Sequence, residues 1–312
     1  MPCGSRFDVS LTPGGYAWWY IDALSDDRCH GLTMIAFIGS VFSPYYSASR
    51  RLGGADPENH VAMNVALYGR RGYRWAMTER GRRQLKRSPL ELQIGPSGLA
   101  WDGGRLRVVI KERAMPLPCR VEGEVELVPE SNSMAALQLD AHGRHLWYPI
   151  APYARVSVRL ARPKMSWSGT AYTDSNVGTE PLADAFRNWS WSRSIEGART
   201  RIYYDIERRD GSTHALALSF APGESGSAID APDLVRIGRT KWRLPLNVRS
   251  QRSEGARKLE VWEDGPFYAR SLVQHRLDGR PEISVHECLS LERFERPWVQ
   301  ALLPFRMPRW AL

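Results

Sequence analysis

The sequence predicts an all-β protein of two antiparallel domains, and three observations carry that reading. Hydrophobic residues alternate with period two rather than 3.6 in short runs. Gly and Pro punctuate those runs, and Asp-Gly turns join two of the alternating pairs. At 312 residues, 43% hydrophobic and 25% charged, the chain is long enough for one large or two medium domains, and its composition is ordinarily globular.

Taken in order, residues 16–22, 33–42, 61–68 and 73–78 read as strands. Residues 99–101, the turn Asp102-Gly103-Gly104 and residues 106–110 form a hairpin, because glycine accepts the positive φ that a tight connection needs. A Pro-rich joint at 149–152 follows. Beyond it, residues 156–160, 165–173, 189–195, 242–248, 258–262, 268–275 and 284–291 supply a second sheet. A hairpin of 201–208 and 214–220 turns at Asp210-Gly211. The reading is an N-terminal β domain over 1–148 and a C-terminal one over 149–312, each barrel-like or sandwich-like, since closure or stacking removes exposed edges.

Charge narrows the partners. The net charge is +9, and only five of the 43 basic residues are Lys. Long-range attraction to nucleic acid or to an anionic membrane fits such a balance. Nucleic acid is disfavoured, because the basic residues are dispersed apart from Arg80, Arg82, Arg83, Lys86 and Arg87, with no helix-turn-helix or zinc-finger spacing. The C-terminal stretch 296–310 mixes Trp298, Leu302, Leu303, Phe305 and Trp310 with Arg296, Arg306 and Arg309. This is a blend that rests on an anionic membrane or packs on its own domain. Cys3, Cys29, Cys119 and Cys288 lie far apart without a C-x-x-C, so free thiols are expected. With no signal-like segment and no run of 18 apolar residues, the expected address is the cytoplasm.

Phosphate-loop, dinucleotide, zinc-protease and nucleophile-elbow motifs do not occur, and His286-Glu287 lacks a second His at metal-binding spacing. No metal or cofactor is expected. The richest segment runs from His145-Leu146-Trp147 through Trp167 and Tyr172-Thr173-Asp174 to Trp189-Ser190-Trp191. On a strand, His145 and Trp147 share a face, as do Tyr172 and Asp174, so two such pairs can line one cavity. Asp56-Pro57-Glu58-Asn59-His60 reads as a loop entering a strand, with Glu58 and His60 placed for acid and base work or at a cavity mouth.

Several longer words are specific. Gly15-Tyr16-Ala17-Trp18-Trp19-Tyr20-Ile21-Asp22, Phe37-Ile38-Gly39-Ser40-Val41-Phe42-Ser43-Pro44, Asp56 to Gly69, Thr78-Glu79-Arg80-Gly81 and the block from Tyr172 to Trp191 resemble the carotenoid 1,2-hydratase (hydroxyneurosporene synthase) family of phototrophic bacteria. The likeness runs from about residue 13 to 300. It implies two lipocalin-like β-barrel domains packed together, and a cofactor-independent hydro-lyase adding water to the terminal 1,2 double bond of acyclic carotenoids such as neurosporene and lycopene. It also implies catalytic roles for His145, Trp147, Tyr172 and Asp174. Trp167, Trp189, Trp191, Glu58 and His60 are then expected to bind substrate. A water-insoluble substrate implies peripheral contact with the inner or photosynthetic membrane.

The chemistry suits these residue types. An isolated alkene is a poor base, so its protonation needs a carboxylic acid held neutral by seclusion, and Asp174 fits, with His145 as the expected aligning group. Rings of Trp147 and Tyr172 would shelter the tertiary cation. A non-catalytic carotenoid or lipid carrier is the competing class, because an aromatic barrel binds such ligands without chemistry. A glycosidase reading needs a second, suitably spaced carboxylate, for which only Glu58 or Asp184 is available.

Overall fold

The computed structural model describes residues 4–69, 73–197 and 199–309, with backbone alone at 195 and 196. The chain is all-β, as expected, and divides into two units, Met1–Pro181 with Ala301–Leu312, and Leu182–Gln300.

The first unit's strands are β1 (Tyr16–Ser25), β2 (His30–Ile38), β3 (Val61–Gly69), β4 (Arg74–Arg80), β5 (Leu85–Arg87) and β6 (Glu91–Ile94). They continue with β7 (Ser97–Asp102), β8 (Arg105–Ala114), β9 (Cys119–Pro129), β10 (Leu137–Gln138), β11 (His145–Arg162) and β12 (Lys164–Gly178). All pair antiparallel in one 12-stranded sheet of order β4-β3-β2-β1-β12-β11-β9-β8-β7-β6-β5, with β10 on β11. The sheet curls until β4 lies against β8, which is lipocalin-like geometry. A helix, α1 (Pro44–Arg51), follows β2, and the Ser43 hydroxyl accepts from the Tyr45 and Tyr46 amides at its start.

This differs from the expected boundary at 148/149. The prolines at 149 and 152 lie inside β11, where the register with β12 shifts between Pro149 and Ala151 and again before Ala154. Proline cannot donate to the ladder, so the strand bulges there instead of ending. Residues 156–160 and 165–173 consequently belong to the first sheet.

Burial distinguishes two parts of the sheet. Along β8, exposed and buried residues alternate without a break, so one face meets water. Along β1 and β3 nearly every residue is buried, on both faces. One of those faces forms the aliphatic core inside the curl: Trp19, Ile21 and Ala23 on β1, Met34 and Ile38 on β2, Val65 and Leu67 on β3, with Val108, Ile110, Val125 and Leu127 from the far side. The other face of β1 carries Tyr16, Trp18, Tyr20 and Asp22, also buried. Both hairpins are where the turn chemistry placed them. Gly103 and Gly104 take positive φ between β7 and β8.

The second unit is built from β13 (Phe186–Glu196), β14 (Arg199–Arg208), β15 (Thr213–Phe220), β16 (Ser227–Ala228), β17 (Leu234–Arg239) and β18 (Pro245–Arg249), then β19 (Arg257–Asp264), β20 (Tyr268–Leu277) and β21 (Arg280–Ser290). Seven of these form a sheet of order β16-β15-β14-β13-β21-β20-β19, and β17 pairs with β18. Helices α2 (Leu182–Ala185), α3 (Leu291–Phe294) and α4 (Pro297–Arg306) complete the chain. The β14–β15 turn has Gly211 at positive φ, with the Ser212 amide donating to Asp210. Cys29, Cys119 and Cys288 are free thiols, while Cys3 lies outside the described residues. Among the described residues no helix is long and apolar enough to cross a membrane.

The C-terminal stretch divides its residues between two surroundings. The Arg306 guanidinium sits 4.5 Å from the Trp75 ring centroid and donates to the Tyr73 hydroxyl. Arg309 reaches the buried Glu79 carboxylate, the His60 ring and the Asn59 carbonyl, and the Glu79 amide donates to the Pro308 carbonyl at 3.0 Å. These two arginines are therefore half-buried and docked on their own unit. Trp298, Leu302 and Phe305 stay exposed, and Trp310 lies outside the described residues.

Candidate active site

Strand alternation places Tyr172, Asp174 and Asn176 on one face of β12, the face turned away from the aliphatic core that Ala171 joins. Register brings two neighbours to that face. Tyr20 of β1 lies opposite Asp174, and Trp147 of β11 lies opposite Asn176. Trp147 is thus diagonal to Asp174, a separation an indole can bridge.

It does so. The Trp147 Nε1–H donates to Asp174 Oδ2 at 2.8 Å, and the Tyr172 hydroxyl donates to the same oxygen at 2.5 Å. The indole N–H also lies 3.2 Å from the Tyr172 oxygen. Trp147 and Tyr172 are fully buried and Asp174 is 5% exposed. Burial, then the neighbouring Asp174, pushes the Tyr172 phenol well above its ordinary value. It therefore remains a protonated donor at any physiological pH. The Tyr20 ring meets that of Tyr172 edge-on at 6.1 Å.

His145 occupies a different level of the sheet. Its register partner is Gly178, four residues from Asp174, or about 13 Å along the strand. The Tyr16 hydroxyl lies 2.8 Å from Nδ1, and Glu180 Oε1 lies 3.3 Å from Nε2. Desolvation lowers the imidazole pKa, against the opposing pull of Glu180. A neutral ring satisfies both contacts when Nδ1 accepts from Tyr16 and Nε2–H donates to Glu180. Gly178 leaves room for this, since a Cβ there would overlap the Tyr16 ring. In place of His145, the expected aligning group, Trp147 and Tyr172 are the side chains hydrogen-bonded to Asp174.

The remaining sequence candidates separate. Trp167 lies on the opposite face of β12 from Asp174, packed against the aliphatic core and stacked on His30, because an odd offset along a strand changes face. Glu58 lies in a 3-10 turn, Pro57–Asn59, and pairs with Arg82 and Arg87 at an open hollow of about 660 Å³. His60 instead starts the run into β3 and is buried on Glu79 at 2.7 Å and against Tyr46. The turn points the two side chains apart, so they form no acid–base pair with each other. Trp189 and Trp191 stand on β13 in the second unit, where Trp189 meets Phe186 and Tyr204 edge-on and lines a cavity of about 310 Å³.

Sequence reasoning missed Tyr16, Tyr20, Asp22 and Asn176. The signal was available, since the period-two rule that paired Tyr172 with Asp174 also sets Asn176 beside them and aligns Tyr16, Trp18, Tyr20 and Asp22.

The fold defines a class first. A crystal structure of a candidate AttH protein from Nitrosomonas europaea superposes with a TM-score of 0.64 at 14% identity, covering 93% of this chain and 99% of that one. At that identity the likeness concerns the fold alone. Residues 34–312 match the family described as carotenoid hydratase CrtC. The chain is 50% identical over 307 residues to an acyclic carotenoid 1,2-hydratase of Thiocapsa roseopersicina, spanning 98% of this chain and 76% of that protein. It is 46% identical over 309 residues to the enzyme of the same description from Rubrivivax gelatinosus, with the same coverages. The chain belongs to the CrtC carotenoid hydratase family.

Proposed function

We propose that this chain hydrates the terminal 1,2 double bond of acyclic carotenoids such as neurosporene or lycopene, with Asp174 as the acid. The observation that supports this most directly is the convergence of Tyr172 and Trp147 on one oxygen of a buried carboxyl. When the carboxyl is neutral, Oδ2 accepts both bonds as the carbonyl oxygen, and the acidic proton belongs on Oδ1. Transfer of that proton to C2 leaves a tertiary cation at C1 and a carboxylate whose charge the two donors stabilise. A hydrogen bond to an ionised acceptor is roughly twice as strong as one to a neutral acceptor, so the donors favour the transition state over the ground state. Faces of Trp147, Tyr172 and Tyr20 would contribute about 2 kcal/mol each to a desolvated cation they meet.

Water then adds its oxygen to C1 and returns a proton to Asp174, which restores the acid. The addition is redox-neutral and each proton has a carrier, so the scheme calls for no cofactor. The testing experiment is Asp174→Asn, assayed with lycopene in vesicles made up in heavy-oxygen water. The wild type should place the label at a tertiary alcohol, and the variant should bind lycopene without turnover. Equal turnover in the variant, or oxygen taken from O₂, refutes the proposal.

Delivery of so insoluble a substrate favours peripheral contact with the inner or photosynthetic membrane. Exposed Trp298, Leu302 and Phe305 are the supporting feature, because Arg306 and Arg309 are engaged elsewhere. Replacing all three with Ser should weaken cosedimentation with anionic vesicles; unchanged binding removes this part.

A further inference from the structure

A cation at C1 has two fates, capture by water or loss of a proton, and the group that fixes the water decides between them. Two positions along β12 from Asp174, on the same face, stands Asn176. It is 3% exposed, shares the face of Tyr172 and Asp174, and lies between Trp18 and Trp147 in register. Its Nδ2 is buried and, among the described residues, has no hydrogen-bond partner. Asn has two amide protons to place, and a buried amide nitrogen with none bonded is rare in folded proteins.

Several other groups on this face are less suited. The Tyr172 hydroxyl and the Trp147 N–H already point at Asp174. Thr33 and Asn64 are on β2 and β3, two and three strands from β12, or about 10 and 14 Å away at ordinary strand spacing. His145 is held by Tyr16 and Glu180 at the level of Gly178. Asn176 stands two residues from the acid, about 7 Å along the strand, which is a distance one water can bridge with an alkene terminus beside it.

We infer that Asn176 holds the water that captures the cation. This inference rests on the hydration reading given above. The Nδ2–H bonds one lone pair of the water, the second lone pair forms the new C1–O bond, and one O–H proton passes to the Asp174 carboxylate as that bond forms. Acid and water holder belong to one strand, so proton and hydroxyl arrive on the same side of the double bond.

The test separates protonation from capture. The full chain is incubated with lycopene in phosphatidylcholine vesicles in D₂O, and mass spectrometry reads both the alcohol formed and the deuterium entering recovered lycopene. In Asn176→Ala, Asp174 still protonates C2 but the cation loses a proton more often. The ratio of exchange to alcohol should then rise at least ten-fold. Asn176→Ser, closer in polarity, should show a smaller rise in the same direction, and it provides the reading if the Ala variant does not fold. A ratio equal to that of the wild type in folded variants, whether both signals persist or fall together, overturns the inference. Asp174→Asn serves as the reference, since it should abolish exchange and alcohol alike. If it keeps both, the failure belongs to the hydration reading and not to Asn176.

Discussion

Replacing Tyr172 with Phe removes one of the two donors on Asp174 while leaving the ring, the strand and the Trp147 bond in place. The magnitude follows from what that donor does at each stage. To a neutral acid its bond is worth about 0.5–1.5 kcal/mol, and to a carboxylate about 1.5–3 kcal/mol. Only the difference, about 1–2 kcal/mol, appears in the barrier. At 1.36 kcal/mol per decade this is roughly a 5- to 30-fold fall in kcat, with KM little changed.

The assay is steady-state formation of the 1-hydroxy carotenoid from vesicle-borne lycopene, repeated in D₂O. The solvent isotope effect should grow, because proton transfer becomes more fully rate-limiting. Since burial holds the Tyr172 phenol well above its ordinary value, its ionisation should contribute no alkaline loss below about pH 10, and the Phe variant should keep the wild-type profile there. A kcat within two-fold of wild type would remove the donor argument. A fall as complete as that of Asp174→Asn would mean that the phenol, not the carboxyl, delivers the proton.

Other perturbations test the supporting structure. His145→Ala and Tyr16→Phe share one hydrogen bond, so a double-mutant cycle on stability should show coupling of about 1 kcal/mol, and simple additivity would argue against the shared bond. Arg309→Ala leaves the carboxylate of Glu79 buried against His60 alone. It should cost about 3 kcal/mol by calorimetry, with Glu79→Gln in the same chain recovering part of the loss. Desolvation lowers the His286 pKa to about 4, so the native ring binds fewer protons than the unfolded one. Stability from this group is complete above about pH 6.5 and falls by about 3 kcal/mol as pH drops to 4. His275 is depressed for the same reason and adds the same sign. Urea titrations of His286→Asn at pH 7 and 4.5 should show a shallower acid loss than wild type, and an unchanged slope would count against it.

The fold was legible where chemistry is local. Alternation and Asp-Gly turns located both hairpins, and they fixed the all-β class. The domain boundary was not legible, because Pro149 and Pro152 look alike as a linker and as a bulge in a long strand; only the partners β9 and β12 decide between them. Pairs two residues apart were also readable, hence Tyr172 with Asp174. What joins different strands was not. The diagonal from Trp147 to Asp174 and the removal of His145 to the level of Gly178 depend on the β11–β12 register, which no single strand encodes. That Glu58 and His60 face different surroundings was unreadable for a related reason, since a 3-10 turn inserted before β3 separates two side chains that lie close in sequence.

The face that carries Asp174 and the aliphatic core lie on opposite sides of the same strands, and this division has a physical use. Ala171 and Ile21 anchor β12 and β1 from within the curl, so the backbone that carries Tyr172, Asp174 and Asn176 is fixed by packing that no reacting group shares. A buried carboxyl is costly to the fold unless it is paired, and here Trp147 and Tyr172 supply donors already aimed by the same ladder. Precision then comes from side chains two residues apart and from one diagonal contact, all on extended backbone. In the proposed reaction, the acid, the rings beside it and the water holder would keep their backbone spacing while the cation forms, because shifting their Cα positions would require slipping strands whose other face is packed solid.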